Sequence, residues 1–268
     1  MPKPESIASA ANPLLKDVRR AIVRGGLTSG GWCVAETFHL LEEALRGDCE
    51  VKTVLVAESV LPAAEARAPR LAGVRLAVLP DALMRKLSGT ETSQGVIALV
   101  KPPAWELERL FRGCALIVVL DGVQDPGNAG AIARAAEAFG ATGILFLKGS
   151  VSPWNPKTLR ASAGSLFRVP CLHGVDATLA RAALQRNKVE LYAGVPARSN
   201  GRARSIAGVD LTRPCGLIVG NEARGVGEAL RSAAADITIP TSGVESLNAA
   251  MAAGIILYEA RRQRDMRP

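Results

Sequence analysis

At 268 residues and 48% apolar content, the chain is long enough to bury one large core or two ordinary ones without disulfides or a structural metal. Its 33 basic residues outnumber 25 acidic ones, and the net charge of +8 favours a polyanionic partner. No apolar run approaches the roughly 20 residues of a membrane span, and the opening MPKPESIASAANP lacks the apolar centre of a signal peptide, so a soluble, cytoplasmic protein is expected.

From Asn12 to Arg24 the stretch NPLLKDVRRAIVR reads as a basic helix. WCVAE, VKTVLVAES, VRLAVLP and QGVIALV then read as short strands, alternating with the helical TFHLLEEALRG and DALMRKLSG. These elements predict a small α/β domain over 1–100. KPPAW at 101–105 cannot continue a strand ladder and opens a linker over 101–113. The second domain is expected over 114–268. Its order is strand LIVVL (116–120), a helix over about 127–139, strand GILFL, a helix over 156–163, strand FRVPCL, a helix over 176–187 and strand VELYAGV. Strands GLIVG (216–220) and DITIP (236–240) follow, then a last helix from Ser246. Such alternation implies a mostly parallel sheet with helices on both faces. In the last helix Leu247, Met251, Ile255 and Tyr258 form a stripe expected to pack on the sheet or on a second subunit. The basic excess lies in the second part, with 15 basic against 13 acidic residues in 1–113 and 18 against 12 in 114–268.

Three stretches carry the chemistry: LDGVQDPGNAGAIARAAEAFG from Leu120, VGNEARGVG from Val219 and IPTSGVESLNAAMAAG from Ile239. In each, a β-rich run feeds a turn of small polar residues and then a helical pattern, which places polar loops at the carboxyl ends of strands, where open α/β sheets bind ligands. Gly127-Asn-Ala-Gly130 lacks the spacing that brings a dinucleotide pyrophosphate to a helix, so a nicotinamide cofactor is disfavoured. Gly220 and Gly225 have P-loop spacing, but Val226 and Gly227 stand where Lys and Ser or Thr are needed, which disfavours a nucleotide triphosphatase. Five scattered cysteines (Cys33, Cys49, Cys114, Cys171, Cys215) fit reduced thiols. With only His39 and His173 as imidazoles, no metal site and no Ser-His-Asp triad is expected. Asn128, Arg134, Asn221, Glu222, Ser246 and Asn248 are the polar candidates; taken singly, each also reads as a cap, a loop ion pair or a solvated side chain.

Read together, the three stretches resemble the signature motifs of the SpoU (TrmH-like) family of the SPOUT methyltransferase superfamily, through DPGNAGAIARAAEAFGA, LIVGNEARGVG and IPTSGVESLNAAMAAGIILYE. The first domain, with NPLLKDVRR, VAETFHLLEEAL and SQGVIALV, more loosely resembles a ribosomal-protein-like substrate-binding domain. The resemblance implies methyl transfer from S-adenosyl-L-methionine to a ribose 2′-hydroxyl of ribosomal or transfer RNA, with ribosomal RNA preferred from the domain arrangement. It also implies a C-terminal trefoil knot and a homodimer formed through the C-terminal domain. Carried over by position, Asn128, Arg134, Glu222, Ser246 and Asn248 are the catalytic set, while Gly220, Asn221, Ile239 and Leu247 are the cofactor-binding set. Many members carry one more residue before Ser-Leu-Asn of the third motif than IPTSGVESLN has, so the cofactor loop is expected to differ in detail.

Arginine is a poor general base because its guanidinium stays protonated. Arg134 is therefore expected either to work with an RNA phosphate or to position the ribose and stabilise the developing alkoxide. Asn128 is expected to orient Arg134 or the ribose, with Ser246 and Asn248 fixing Arg134 and the cofactor edge. Arg198, Arg202 and Arg204 in RSNGRAR, and Lys16, Arg19, Arg20 and Arg24 in the first helix, are candidate RNA contacts or ordinary solvated cations. Rival readings are a transfer RNA enzyme, an antibiotic-resistance methyltransferase, a catalytically silent RNA-binding assembly factor and a doubly wound nucleotide-cofactor enzyme.

Overall fold

A computed structural model describes residues 4–67, 71, 73–90, 92–196 and 203–266. These fall into two units, residues 1–103 with 154–168 and residues 104–153 with 169–268.

In the first unit the short β1 (Glu5–Ser6) precedes α1 (Pro13–Arg24). Asn12 caps α1 by accepting from the Leu14 amide, Pro13 starts it with a φ already suited to a helix, and Gly25 ends it at φ +64°, a conformation that a Cβ disfavours. There follow β2 (Cys33–Ala35), α2 (Phe38–Arg46), β3 (Val51–Ala57), α3 (Leu61–Glu65), β4 (Arg75–Leu79), α4 (Asp81–Leu87) and β5 (Val96–Val100). The strands pair in the order β1-β4-β3-β5-β2, with β5 antiparallel to both β3 and β2. Leu15 and Val18 of α1 pack with Val34, Leu55, Leu79 and Ile97 in its core. All four strands read from sequence are present; β1 and α3 are too short for periodicity to announce.

The second unit begins with β6 (Leu116–Asp121), α5 (Pro126–Ala138) and β7 (Gly143–Leu147). The chain then runs through α6 (Pro156–Ala161), β8 (Cys171–Val175), α7 (Ala177–Arg186), β9 (Glu190–Gly194) and the two-residue β10 (Arg204–Ser205). It finishes with β11 (Cys215–Gly220), α8 (Glu228–Arg231), β12 (Ala234–Thr238) and α9 (Ala249–Asp265). Among the described residues, seven strands form one parallel sheet in the order β10-β12-β9-β11-β6-β7-β8. Ile117, Val119, Leu145, Leu191 and Ile218 are buried on one face against Leu184 of α7 and Leu230 of α8. No helix among the described residues is long and apolar enough to cross a membrane.

Several boundaries differ from the sequence reading. FRVPCL is not a strand from its start, because Ser165–Phe167 form a 3-10 turn and β8 begins only at Cys171. The strand read as DITIP begins two residues earlier, at Ala234. The last helix starts after Asn248 rather than at Ser246, because the Asn248 side chain accepts from the amides of Ala250 and Met251 and so sets the first turn. That helix buries Ala253, Ile256, Leu257 and Ala260. Small residues there let α9 lie close along α5, with Gly254 facing Ala135. Met251 (57% exposed) and Tyr258 (54%) lie largely in solvent, with the Tyr258 ring edge-on to Phe139, so these two residues of the expected stripe do not pack on the sheet.

Segment 154–168, including α6, groups with the first unit rather than with its sequence neighbours. The physical reason lies in two buried carboxylates, Glu36 and Glu43, each 4% exposed. Arg160 approaches Glu36 at 3.2 Å, and Arg168 pairs with Glu43. Burying Glu36 without a cation would be strongly unfavourable, and Arg168 joins Arg46 as a second cation on Glu43.

Candidate active site at the carboxyl ends of β6 and β11

Strand order places the site. From β6 the sheet grows one way through β7 and β8 and the other way through β11, β9 and β12. A parallel sheet opens a crevice where the winding changes direction, here at the carboxyl ends of the adjacent β6 and β11. The first two motifs therefore become neighbours although about 100 positions apart.

Their loops are stitched together by bonds that residue spacing does not reveal. Asp121, at the end of β6, accepts from the Gly227 amide at 2.7 Å, and the Asn221 amide group donates to the Gly122 carbonyl at 2.9 Å. Asn221 Oδ1 also accepts from the amides of Ala223 and Arg224, while the Asn221 and Gly225 backbones exchange bonds in both directions. The Asn221 side chain is thus occupied in shaping its own loop. Gly220 is required on other grounds: a Cβ there would lie 2.4 Å from the Gly225 carbonyl carbon and 2.6 Å from the Val226 nitrogen, both backbone atoms with little freedom to move. Asp125 caps α5 by accepting from the Asn128 amide at 2.6 Å. Asp121 and Asp125 are not among the site residues that the sequence suggests; an acidic side chain at a strand end and one directly before Pro-Gly-Asn were the available signals.

The third motif reaches this pair of loops from β12, two strands beyond β11. Asn248 donates from Nδ2 to Asn128 Oδ1 at 2.9 Å, and Asn128 donates in turn to Glu222 Oε1 at 3.0 Å. One residue from each motif thus joins a single chain, Asn248 to Asn128 to Glu222. The structure does not join Arg134 or Ser246 to it. Both are exposed, and neither side chain makes a hydrogen bond or ion pair with the described residues. Asn248 bonds Asn128 where a bond to Arg134 was expected. Ile239 and Leu247 are half-buried. Of the basic loop, Arg204 is exposed on β10, while Arg198 and Arg202 lie outside the described residues.

Burial pushes the Cys171 thiol up to about 12 and that of Cys215 to about 11, so both stay protonated near neutrality. Among the described residues no group of three or more His, Cys, Asp or Glu is placed to hold a metal ion.

The residues present fit S-adenosylmethionine. Backbone-rich turns held by Asp121 and Asn221 lie at the switch point, where main-chain donors and acceptors suit a nucleoside and an amino-acid group.

The SpoU rRNA methylase family matches residues 115–258, and the MRM3-like substrate binding domain matches residues 12–98. The chain is 31% identical to the 23S rRNA (guanosine(2553)-2'-O)-methyltransferase RlmP of Bacillus subtilis strain 168, over 96% of this chain and 99% of that one. Its structure resembles the AdoMet-bound rRNA methyltransferase from Sinorhizobium meliloti, with a TM-score of 0.80, 28% identity and coverage of 96% and 97%. It also resembles the SpoU methyltransferase AviRb from Streptomyces viridochromogenes in complex with AdoMet, with a TM-score of 0.82, 28% identity and coverage of 95% and 99%.

Fold and site together define an RNA methyltransferase of the SPOUT class. Within that class, the match over more than half of its length shows that the chain belongs to the SpoU rRNA methylase family.

Proposed function

We propose that this protein methylates a ribose 2′-hydroxyl of ribosomal RNA, with S-adenosylmethionine as the methyl donor. The observation that carries the reading is the Asn248-Asn128-Glu222 chain, which brings all three motifs to one place. The choice of ribosomal RNA rests on the activity of the Bacillus subtilis relative, which matches along nearly its whole length.

When bound, S-adenosylmethionine supplies an electrophilic methyl group on sulfur. The chain's own task is to hold the ribose hydroxyl in line with it and to accommodate the charge that forms as the proton leaves. A guanidinium is a poor general base, so the part of Arg134 is to pair with the ribose or an RNA phosphate and to stabilise the developing alkoxide. Asn128, locked between Asn248 and Glu222, presents a fixed amide beside the first turn of α5. Gly220, Ile239 and Leu247 line the cofactor side, with Asn221 setting the loop, and Ser246 is left free to meet the cofactor or the ribose. We further propose a cytoplasmic homodimer, with the exposed Met251 and Tyr258 of α9 at the interface and a trefoil knot in the C-terminal domain.

The test is methyl transfer from labelled S-adenosylmethionine to deproteinised large-subunit ribosomal RNA by the wild type and Arg134→Ala. The wild type should transfer and the variant should lose about 100-fold or more in rate, while S-adenosylhomocysteine binding stays unchanged. Equal turnover by the two proteins would overturn the role of Arg134. Failure of the wild type to bind S-adenosylhomocysteine would overturn the enzyme reading as a whole.

A further inference from the structure

Helix α1 carries a stripe of cations that the folded unit leaves unbalanced. Leu15, Val18 and Ala21 face the core, so Lys16, Arg19, Arg20, Val23 and Arg24 share the outward face at i, i+3, i+4, i+7 and i+8. Lys16, Arg19 and Arg24 have no ion-pair partner among the described residues, and Arg20 reaches Asp17 only at 3.7 Å. Three arginines on two other helices are paired. On α2, Arg46 pairs with Glu43 at 2.8 Å; on α9, Arg261 pairs with Asp265 and Arg262 with Glu259, both at 2.7 Å. Like charges three and four positions apart weaken a helix, so α1 bears a cost that a polyanion would relieve.

The surface beside the stripe is built rather than loose. Both carboxylate oxygens of Asp17 are taken by the turn after the helix, accepting from the Ser29 amide at 3.0 and 3.1 Å and from its hydroxyl at 2.8 Å. The turn closes through Thr28, whose amide donates to the Trp32 carbonyl at 2.9 Å and whose hydroxyl accepts from the Trp32 amide at 3.1 Å. Exposed Gly30 and Gly31 at its tip leave the backbone open to close approach, Gly31 at φ +79°. The Lys52 ammonium lies over the Trp32 ring, 5.1 Å from its centroid. Val23, 78% exposed, supplies an apolar spot among the guanidiniums.

We infer that this face, the outer stripe of α1 with the pinned turn at 28–32, is the surface of the first unit that grips the RNA backbone. The inference rests on the ribosomal RNA reading above and extends it to a surface outside the candidate site. From Lys16 to Arg24 the stripe spans roughly 12 Å at 1.5 Å per residue, long enough for several successive phosphates. Its role is positioning: guanidiniums on phosphates set register and affinity without reading bases.

The test uses the full-length protein and deproteinised bacterial 23S ribosomal RNA, with the dissociation constant measured across a range of salt. The double variant Arg19→Ala/Arg24→Ala should bind at least about tenfold more weakly, and its plot of log affinity against log salt should be shallower by about two, near one for each phosphate no longer neutralised. Arg19→Lys/Arg24→Lys should keep the slope. S-adenosylhomocysteine binding should be unchanged in both, which separates this surface from the candidate site and shows that the variants are folded. Arg213→Glu, a reversal at a cation of the other unit, should change affinity less. Wild-type affinity and slope in the alanine variant would overturn the proposal, as would an equal loss in Arg213→Glu, which would mean bulk charge alone. Absence of RNA binding by the wild type with S-adenosylhomocysteine binding intact would overturn the RNA reading and this surface with it.

Discussion

Asn248 performs two tasks with the two ends of one side chain, and two substitutions separate them. Its Oδ1 caps α9, accepting from Ala250 and Met251 at 2.9 and 3.2 Å, while its Nδ2 donates to Asn128 at 2.9 Å. Asn248→Ala removes both. Loss of a cap costs about 1 kcal/mol, and loss of one neutral hydrogen bond about 1 kcal/mol more. A total near 2 kcal/mol would lower the melting temperature by about 4–8 °C for a chain of this size. Asn248→Asp keeps an acceptor, and aspartate caps as well as asparagine, so its stability should stay within about 1 kcal/mol of wild type. Its carboxylate, however, cannot donate to Asn128 Oδ1. With Asn128 no longer held, methyl transfer should fall about 10- to 100-fold, the scale of a misplacement near 1 Å. Denaturant titration and methyl transfer on the two variants read the two tasks independently. A fully active Asn248→Asp would refute the importance of the Asn128 bond, and an Asn248→Ala as stable as wild type would refute the cap.

Three further outcomes are expected. The Arg264 guanidinium donates to the carbonyls of Cys114, Leu211, Arg213 and Ala115 at 2.7–3.0 Å, tying the end of α9 to the starts of β6 and β11, so Arg264→Ala should lose about 3 kcal/mol in urea unfolding. A Gly220→Ala side chain has no room against the Gly225 and Val226 backbone, and S-adenosylhomocysteine affinity in calorimetry should fall at least about tenfold, near 1.4 kcal/mol. Hydrogen bonds from Arg262 and Gln263 hold the Glu259 carboxyl down to about 2 from its usual 4.5, so its stabilising contribution is complete above that usual value and is lost as pH falls from 4.5 towards 2. Unfolding free energy followed over that window should decline less steeply in Glu259→Gln than in wild type.

Much of this architecture is legible in the sequence. LIVVL at 116–120, LIV at 217–219 and DITI at 236–239 are runs whose β preference is local, and the residues after them, Asp-Gly, Gly-Asn and Pro-Thr-Ser-Gly, favour turns. Boundaries failed where a side chain made the decision. Asn248 rather than Ser246 starts α9 because its oxygen meets two free amides, and Phe167 sits in a 3-10 turn although its surroundings read as β. The same holds for 154–168, where Arg160 and Arg168 follow the buried Glu36 and Glu43 out of their own stretch of chain. No local pattern contains that pairing.

The amino-acid order already carried the three loops, their residue types, their family likeness and the basic balance, because these depend on short-range spacing and composition. Folding alone determined which loops meet. The strand order turns at β6 and β11, Asp121 and Asn221 then sew two loops together, and Asn248 crosses from β12 to reach Asn128. Arg134 remained unpaired among the described residues although spacing and family resemblance had grouped it with the rest. Hydrogen bonds between residues about 100 positions apart exist only after loop closure has been offset by a shared core, and this is why the site belongs to the fold rather than to any one motif.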